Sequence, residues 1–206
     1  MKKYAYLAGS IACIFFLYFL GAISHPDEIH LSELEKYEGK SVVVKGMVVY
    51  REIKGKSELI RIRDGNYSAD VFNYGFTSIS YGDIIEVKGR VQRYHGKMEI
   101  VADSIKLVEK WDVKSIPLWE LSENFERYLG TNVNVTGYVD GVYSSYFYLV
   151  DASREYRIKV VYAGNFSGEI KNHEHVYVKS MLEYDKNRMS MYLEMKENEH
   201  GIGIID

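Results

Sequence analysis

Apolar and polar residues alternate with a period of two along most of the chain, the pattern of strands that bury one face. Over 132–139, Val133, Val135, Gly137 and Val139 fall on one side and Asn132, Asn134, Thr136 and Tyr138 on the other. Tyr156, Ile158 and Val160 likewise oppose Arg157, Lys159 and Val161, while Ile60 and Ile62 oppose Leu59, Arg61 and Arg63. Arg63-Asp-Gly-Asn66 predicts a tight turn between two strands. Tyr81-Gly-Asp83 precedes a strand over Ile84–Val91, and Tyr94-His-Gly-Lys97 turns into another over Met98–Ile105. Gly46 and Gly137 sit within strands, where glycine marks a bulge or a barrel corner. Helical periodicity is confined to Glu120–Tyr128, with Leu121, Phe125 and Tyr128 on one side, and to a shorter counterpart at Leu31–Tyr37.

The N-terminus breaks this pattern. Tyr4–Ser24 carries no charge, and about 20 apolar residues at ~1.5 Å each match the roughly 30 Å core of a bilayer. Lys2 and Lys3 precede the run, and Asp27 and Glu28 follow it. The expectation is a single-pass anchor over residues 4–24, N-terminus cytoplasmic and the remainder outside. The alternative is a signal peptide cleaved after Ala22-Ile23-Ser24 and a secreted product; the run is longer than the usual stretch of about 7–15 residues. Asn66-Tyr-Ser and Asn165-Phe-Ser are candidate glycosylation acceptors in that setting. A third sequon, at Asn134, falls in a predicted strand and fits poorly.

The remainder is a repeat. Ile29-His-Leu-Ser-Glu-Leu34 and Gly39-Lys-Ser-Val-Val-Val-Lys-Gly46 return as Ile116-Pro-Leu-Trp-Glu-Leu121 and Gly130-Thr-Asn-Val-Asn-Val-Thr-Gly137. The offset is 87 residues at the first pair and 91 at the glycines. A period near 90 is too long for a solenoid and suits a duplicated domain. Glu86-Val-Lys-Gly returns as Tyr177-Val-Lys-Ser180. Each half thus holds five short strands with little helix, which implies a small closed barrel. The division reads 1–25 anchor, 26–109 first barrel, and 110–206 second, more divergent barrel. The charged junction at 107–116 lacks glycine and predicts a short, stiff connection.

Composition narrows the classes. Among 206 residues, 47% are hydrophobic and 14% aromatic, with a net charge of −3. That balance excludes a disordered chain and a strongly basic coat for nucleic acid. One cysteine excludes an intrachain disulfide framework.

Three stretches carry a family resemblance: Gly39–Val49, Ile60–Val71, and Gly82-Asp-Ile-Ile-Glu-Val-Lys-Gly-Arg-Val91 with Glu99-Ile-Val-Ala-Asp-Ser-Ile105. At these residues the first half resembles an OB-fold domain of the tRNA-anticodon/helicase type. The second half resembles that family chiefly through the first. Ser180 replaces a strand glycine, and Met189–Met195 lacks the pattern of the last strand. The implied fold class is all-β: two tandem five-stranded OB-fold Greek-key barrels with short helices, preceded by one transmembrane α-helix. The resemblance implies binding rather than catalysis, with oligonucleotides or oligosaccharides as common ligands. The fold alone does not fix the function.

On that reading Arg61, Arg63 and Phe72 share the outward face of the first barrel. Arg51, Lys54 and Lys56 line one loop, and Arg93 and Tyr94 another. In the second barrel Tyr148, Arg157 and Lys159 take these roles. Cations for phosphates and rings for bases are what a single strand needs. Against this, residues 27–109 hold 13 cations and 14 anions, and residues 110–206 hold 11 and 15. The first reading is weak binding of single-stranded nucleic acid or a similar polyanion. The second is a protein-interaction or assembly scaffold docking a partner in the membrane.

His173 and His175 form the densest histidine site; two apart on a strand they share one face, so a two-histidine metal site is geometrically possible, but no third ligand is specified and the expectation is an ordinary exposed pair. The spacing His173 to Tyr177 resembles the attachment motif of membrane-anchored OB-fold haem chaperones, although it precedes the fourth strand here rather than following the last. No cofactor is expected. No nucleophile elbow, zinc-protease motif or P-loop occurs, so no enzyme activity is expected.

Overall fold

The computed structural model describes residues 10–16, 18, 26–162 and 170–205. The first of these are helical, with Ile14, Phe15, Phe16 and Tyr18 exposed. Among the described residues no helix is long and apolar enough to cross a membrane. The anchor expected over 4–24 lies largely outside the described residues and finds no support in the structure.

Two closed five-stranded barrels account for the rest. In the first, a 3-10 helix at Leu31–Tyr37 leads into β2 (Ser41–Lys54), β3 (Ser57–Asp64), β4 (Tyr67–Tyr74), β5 (Ile84–Tyr94) and β6 (Lys97–Glu109). The strands pair in the order β2-β3-β4-β6-β5, and β5 returns to β2. Only β4 and β6 run parallel within this ring. The second barrel repeats the order with β8 (Asn132–Val142), β9 (Tyr146–Val150), β10 (Arg157–Tyr162), β12 (Ser190–Met195) and β11 (His175–Asp185), and β11 closes onto β8. Its one parallel pair is β10 with β12. Two-residue strands, β1 (Asp27–Glu28) and β7 (Ile116–Pro117), run parallel to the first strand of each barrel. This connectivity fits a tandem OB fold.

Alternation decides what is inside. Val42, Val44, Ile60, Ile62, Val87 and Ile100 are fully buried in the first barrel. Val135, Val139, Phe147, Leu149, Val178 and Leu193 fill the second. The helices plug the barrel bases: Leu31 and Leu34 in one, Leu118 and Leu121 in the other. The single helix expected over Glu120–Tyr128 is two, Leu118–Glu123 and Phe125–Tyr128. Asn124 separates them: its backbone leaves the helical region, at φ −120 and ψ 27, while its side-chain N–H caps the Glu120 carbonyl.

The repeat holds at single-bond resolution. Gly39 donates to the Val91 carbonyl and Val91 to Lys40, just as Gly130 donates to Leu182 and Leu182 to Thr131. Gly82 donates to Val48 and Val48 to Asp83, as His173 donates to Val139 and Val139 to Glu174. Every pair differs by 91 residues.

The last strand is where the barrels part. β6 runs unbroken for 13 residues, with a bulge opposite Lys88 and Gly89. In the second barrel this strand is split into β12 and β13 (Gly201–Ile204), with residues 196–200 looping out between them. Met189–Met195, which lacks the last-strand pattern in sequence, holds only the first part of that strand, and the rest returns after the loop.

Residues 110–115 connect the barrels and are clamped on both sides. Asp83 accepts the Trp111 backbone N–H at 3.0 Å and that of Ser80 at 2.8 Å. On the far side, Asn134 Nδ2 donates to the Asp112 carbonyl, and Lys179 pairs with the Asp112 carboxylate at 2.8 Å. Trp111 is 7% exposed. Asn132 and Asn134 point away from their own barrel core and are nevertheless buried: the connection lies over Asn134, and the loop at 196–200 covers Asn132. Gly82 has φ +89, and a Cβ there would stand 2.5 Å from the Asn132 carbonyl oxygen of the second barrel. Gly82→Ala is therefore expected to separate the barrels while leaving each folded. An increased radius of gyration with unchanged far-UV dichroism would show this; an unchanged radius would refute it.

Candidate nucleic-acid interface

The outer face of β9 and β10 carries an aromatic platform. Two turns set it up. Gly141, at φ +74, kinks the end of β8, and Tyr143 packs back over it. Tyr143 and Tyr146 then close the hairpin through a backbone bond of 2.8 Å. At the other end Asp151 accepts the N–H groups of Ser153 and Tyr156 and the Ser153 hydroxyl, fixing the turn into β10. Burial opposes the charge on Asp151, but these bonds hold its carboxyl below the usual range.

On this frame Tyr143 and Tyr146 stack at 4.5 Å, and Tyr148 meets both edge-on. The Arg157 guanidinium lies over Tyr148 at 3.7 Å, and Lys159 lies over Tyr146 at 4.1 Å. Asp140 holds Arg157 from the side at 3.3 Å. Tyr192 of β12 sits beside Lys159 in register. The rings and cations are thus held in place before any ligand arrives, the arrangement that costs least to use. Tyr148, Arg157 and Lys159 were legible from alternation. Tyr143 and Tyr146 were not, because their stacking depends on the Gly141 kink.

The first barrel's cations are engaged differently. Arg61 makes a two-pronged pair with Asp70 at 2.6 and 3.0 Å, a bond that raises its affinity for the proton. Arg51 pairs with the fully buried Glu58 and donates to the Thr77 and Ile79 carbonyls. It is a tie across the barrel end, not a free cation. Arg63 does point outward, but toward the second barrel: it donates to the Arg127 carbonyl at 2.7 Å, and burial lowers its proton affinity. Arg93 pairs with Glu38, and Lys54 with Glu52. Among the described residues no carboxylate pairs with Lys56. Phe72 lies edge-on to Tyr74 at 5.0 Å, and Tyr94 is exposed beside His95. The first-barrel face thus keeps its rings, while Arg51, Arg61 and Arg93 pair with carboxylates and Arg63 turns to the second barrel.

Arg63 and Arg127 border a cleft of about 1290 Å3 between the barrels, with Lys45, Met47, Asn66 and Phe125 also on its walls. Asn66 is exposed in the β3–β4 turn. Asn165 lies outside the described residues. His173 is not on a strand: it occupies the turn before β11 with φ +73, the position that Gly82 holds in the first barrel. It therefore cannot share a strand face with His175, which stacks on Tyr138 at 4.8 Å. Tyr177 packs against Gly203 of β13. Among the described residues no group of three metal-ligating side chains is assembled.

No protein-family model matches the chain. An uncharacterized protein of Methanocaldococcus jannaschii is 35% identical over 133 residues, a match that covers 54% of this chain and 60% of that protein. The chain thus spans about three-fifths of the length of the curated relative it matches. Among solved structures, a putative aspartyl-tRNA synthetase from Leishmania major Friedlin is similar over 41% of this chain and 21% of its own (TM-score 0.38, 21% identity). The asparaginyl-tRNA synthetase of Pyrococcus horikoshii matches 42% of this chain and 24% of its own (TM-score 0.37, 17% identity). A chain of the S. pombe Stn1-ten1 complex matches 41% of this chain and 79% of its own (TM-score 0.37, 14% identity).

Proposed function

We propose that this chain is a non-enzymatic binding module that holds single-stranded nucleic acid, or a similar extended polyanion, on the outer face of β9 and β10. The observation that carries this reading is the pairing of Tyr146 with Lys159 and Tyr148 with Arg157 on one preorganised surface. Bases stack on such rings whatever their identity, and the cations meet the phosphates. The test is a fluorescence anisotropy titration of the chain into labelled single-stranded DNA and RNA at about 50 and 200 mM salt. Saturable binding that weakens with salt is expected. No saturable binding at the lower salt would overturn the proposal.

The two barrels are expected to differ in salt dependence. For single strands the slope of log affinity against log salt is about 0.7 per neutralised phosphate. Removing Arg157 and Lys159 together should flatten the slope by about 1.4. Arg61→Ala should leave it unchanged, because Asp70 already neutralises that guanidinium. A flattening in Arg61→Ala as large as in the double variant would move the site to the first barrel.

A protein partner is the second reading. Ile53, Tyr74 and Phe76 are each more than 60% exposed at one end of the first barrel, where the Gly75 N–H is tied to the Lys56 carbonyl. Cross-linking on intact membranes would capture such a partner. The uncharged run at 4–24 makes membrane attachment, with the barrels on the outer side, part of the proposal. Protease added to intact cells should then digest the barrels; protected barrels would place them on the cytoplasmic side.

A further inference from the structure

We propose that the seam between the barrels is an acid-sensitive latch whose moving part is His200. The loop 196–200 that splits the last strand of the second barrel delivers this ring to the connection between the barrels. There the imidazole lies edge-on to Trp111 at 5.9 Å, with its side chain 1% exposed. Its Nδ1 accepts the backbone N–H groups of Lys196 at 3.1 Å and Glu197 at 3.3 Å. That leaves Nε2 as the protonated nitrogen, donating to Asn132 Oδ1 at 3.2 Å. Asn132 in turn donates from Nδ2 to Glu197. The docked ring is therefore neutral: Nε2 already holds its proton, and Nδ1 has a job that a second proton would end. A proton on Nδ1 replaces two accepted bonds with two N–H groups facing an N–H.

The surrounding charges do not reverse this. From its own loop the ring faces Glu197 and Glu199, which favour the charged form, and Lys196, which opposes it. The connection brings Lys110 and Asp112, the latter already paired with Lys179 of β11. The first barrel brings Asp83, whose carboxyl receives the Trp111 N–H and is itself pushed up by burial. β8 contributes the neutral Asn132. Burial outweighs the carboxylates, and the imidazole holds its proton less tightly than usual.

The sign follows from linkage. An undocked His200 takes a proton as pH falls through about 6.5, whereas the docked ring does so only at lower pH. Within that window the docked state loses ground by about tenfold per pH unit, and below it the loss levels off. Raising the pH restores the seam.

The test uses the full chain in detergent with Trp119→Phe, so that Trp111 is the remaining tryptophan. Between pH 7.5 and 5.0 we expect its emission to shift to the red and the radius of gyration to grow, with far-UV dichroism constant. Histidine NMR should place the titration of His200 at the same midpoint. In His200→Gln, which keeps a polar side chain without the proton, the transition should vanish. Flat emission across this range would overturn the proposal. So would a transition retained in His200→Gln, or one whose midpoint follows a different histidine.

Discussion

Replacing Tyr146 and Tyr148 together by alanine is expected to weaken oligonucleotide binding roughly 100-fold, a loss of about 3 kcal/mol from two stacking positions at ~1–3 kcal/mol each. The effect is large because each ring has two tasks. It offers a face to a base, and it also holds a cation in place: Arg157 over Tyr148 and Lys159 over Tyr146. Without the rings both side chains regain their rotamer freedom, and ordering them again opposes binding. The paired phenylalanine substitutions separate the two classes of cause. Phenylalanine keeps the stacking face and loses only the hydroxyl, so affinity should stay within about 3-fold of the parent. Anisotropy at low salt reads both. A double alanine variant that binds as tightly as the parent would remove the platform from the site.

The largest loss of stability is expected from Gly89→Ala, about 3 kcal/mol by chemical denaturation. A Cβ at this position would stand 2.3 Å from the Val101 carbonyl oxygen and 2.8 Å from the Ile100 side chain. Neither can retreat, since both belong to β6 in its closed pairing with β5. The equivalent position in the second barrel is Ser180, fully buried, and its Cβ is tolerated. The reason is the split last strand. Lys179 pairs with Gly201 and Met181 with Glu194, so the chain opposite Ser180 leaves the barrel wall. Ser180→Gly should accordingly change stability by less than about 1 kcal/mol. Comparable losses in the two variants would disprove this account of the glycine.

The strands and the repeat were legible because burial on one face forces alternation, and duplication left an offset of 91 in the first and fourth strands, from Gly39 to Gly130 and from Gly89 to Ser180, with shorter offsets in the hairpin between them. What stayed hidden arises from contacts between the halves. Asn132 and Asn134 read as solvent-facing polar positions, and they are buried because the loop at 196–200 and the connection fold over them. Arg63 reads as part of a ligand face, but no local pattern announces that a second barrel will stand opposite it. Arg61 read correctly as outward, while its partner Asp70 lies across the hairpin in a register that the sequence leaves open until the turn is placed. His173 was within reach: adding 91 to Gly82 identifies it as a turn residue rather than a ligand. The tyrosine platform was half visible, with the strand tyrosine Tyr148 predicted and the hairpin tyrosines missed.

Gly82 also governs how many such units can be strung together. The seam joins unlike surfaces, the Gly82 turn of one barrel and the Asn132 strand of the next, and a head-to-tail contact of that kind has no built-in end. A third barrel could in principle seat on the second as the second seats on the first. The position that would receive it is His173, left-handed like Gly82 but carrying an imidazole where the approach leaves no room even for a methyl group. The outer turn of the second barrel thus differs from the docked turn of the first by a whole side chain.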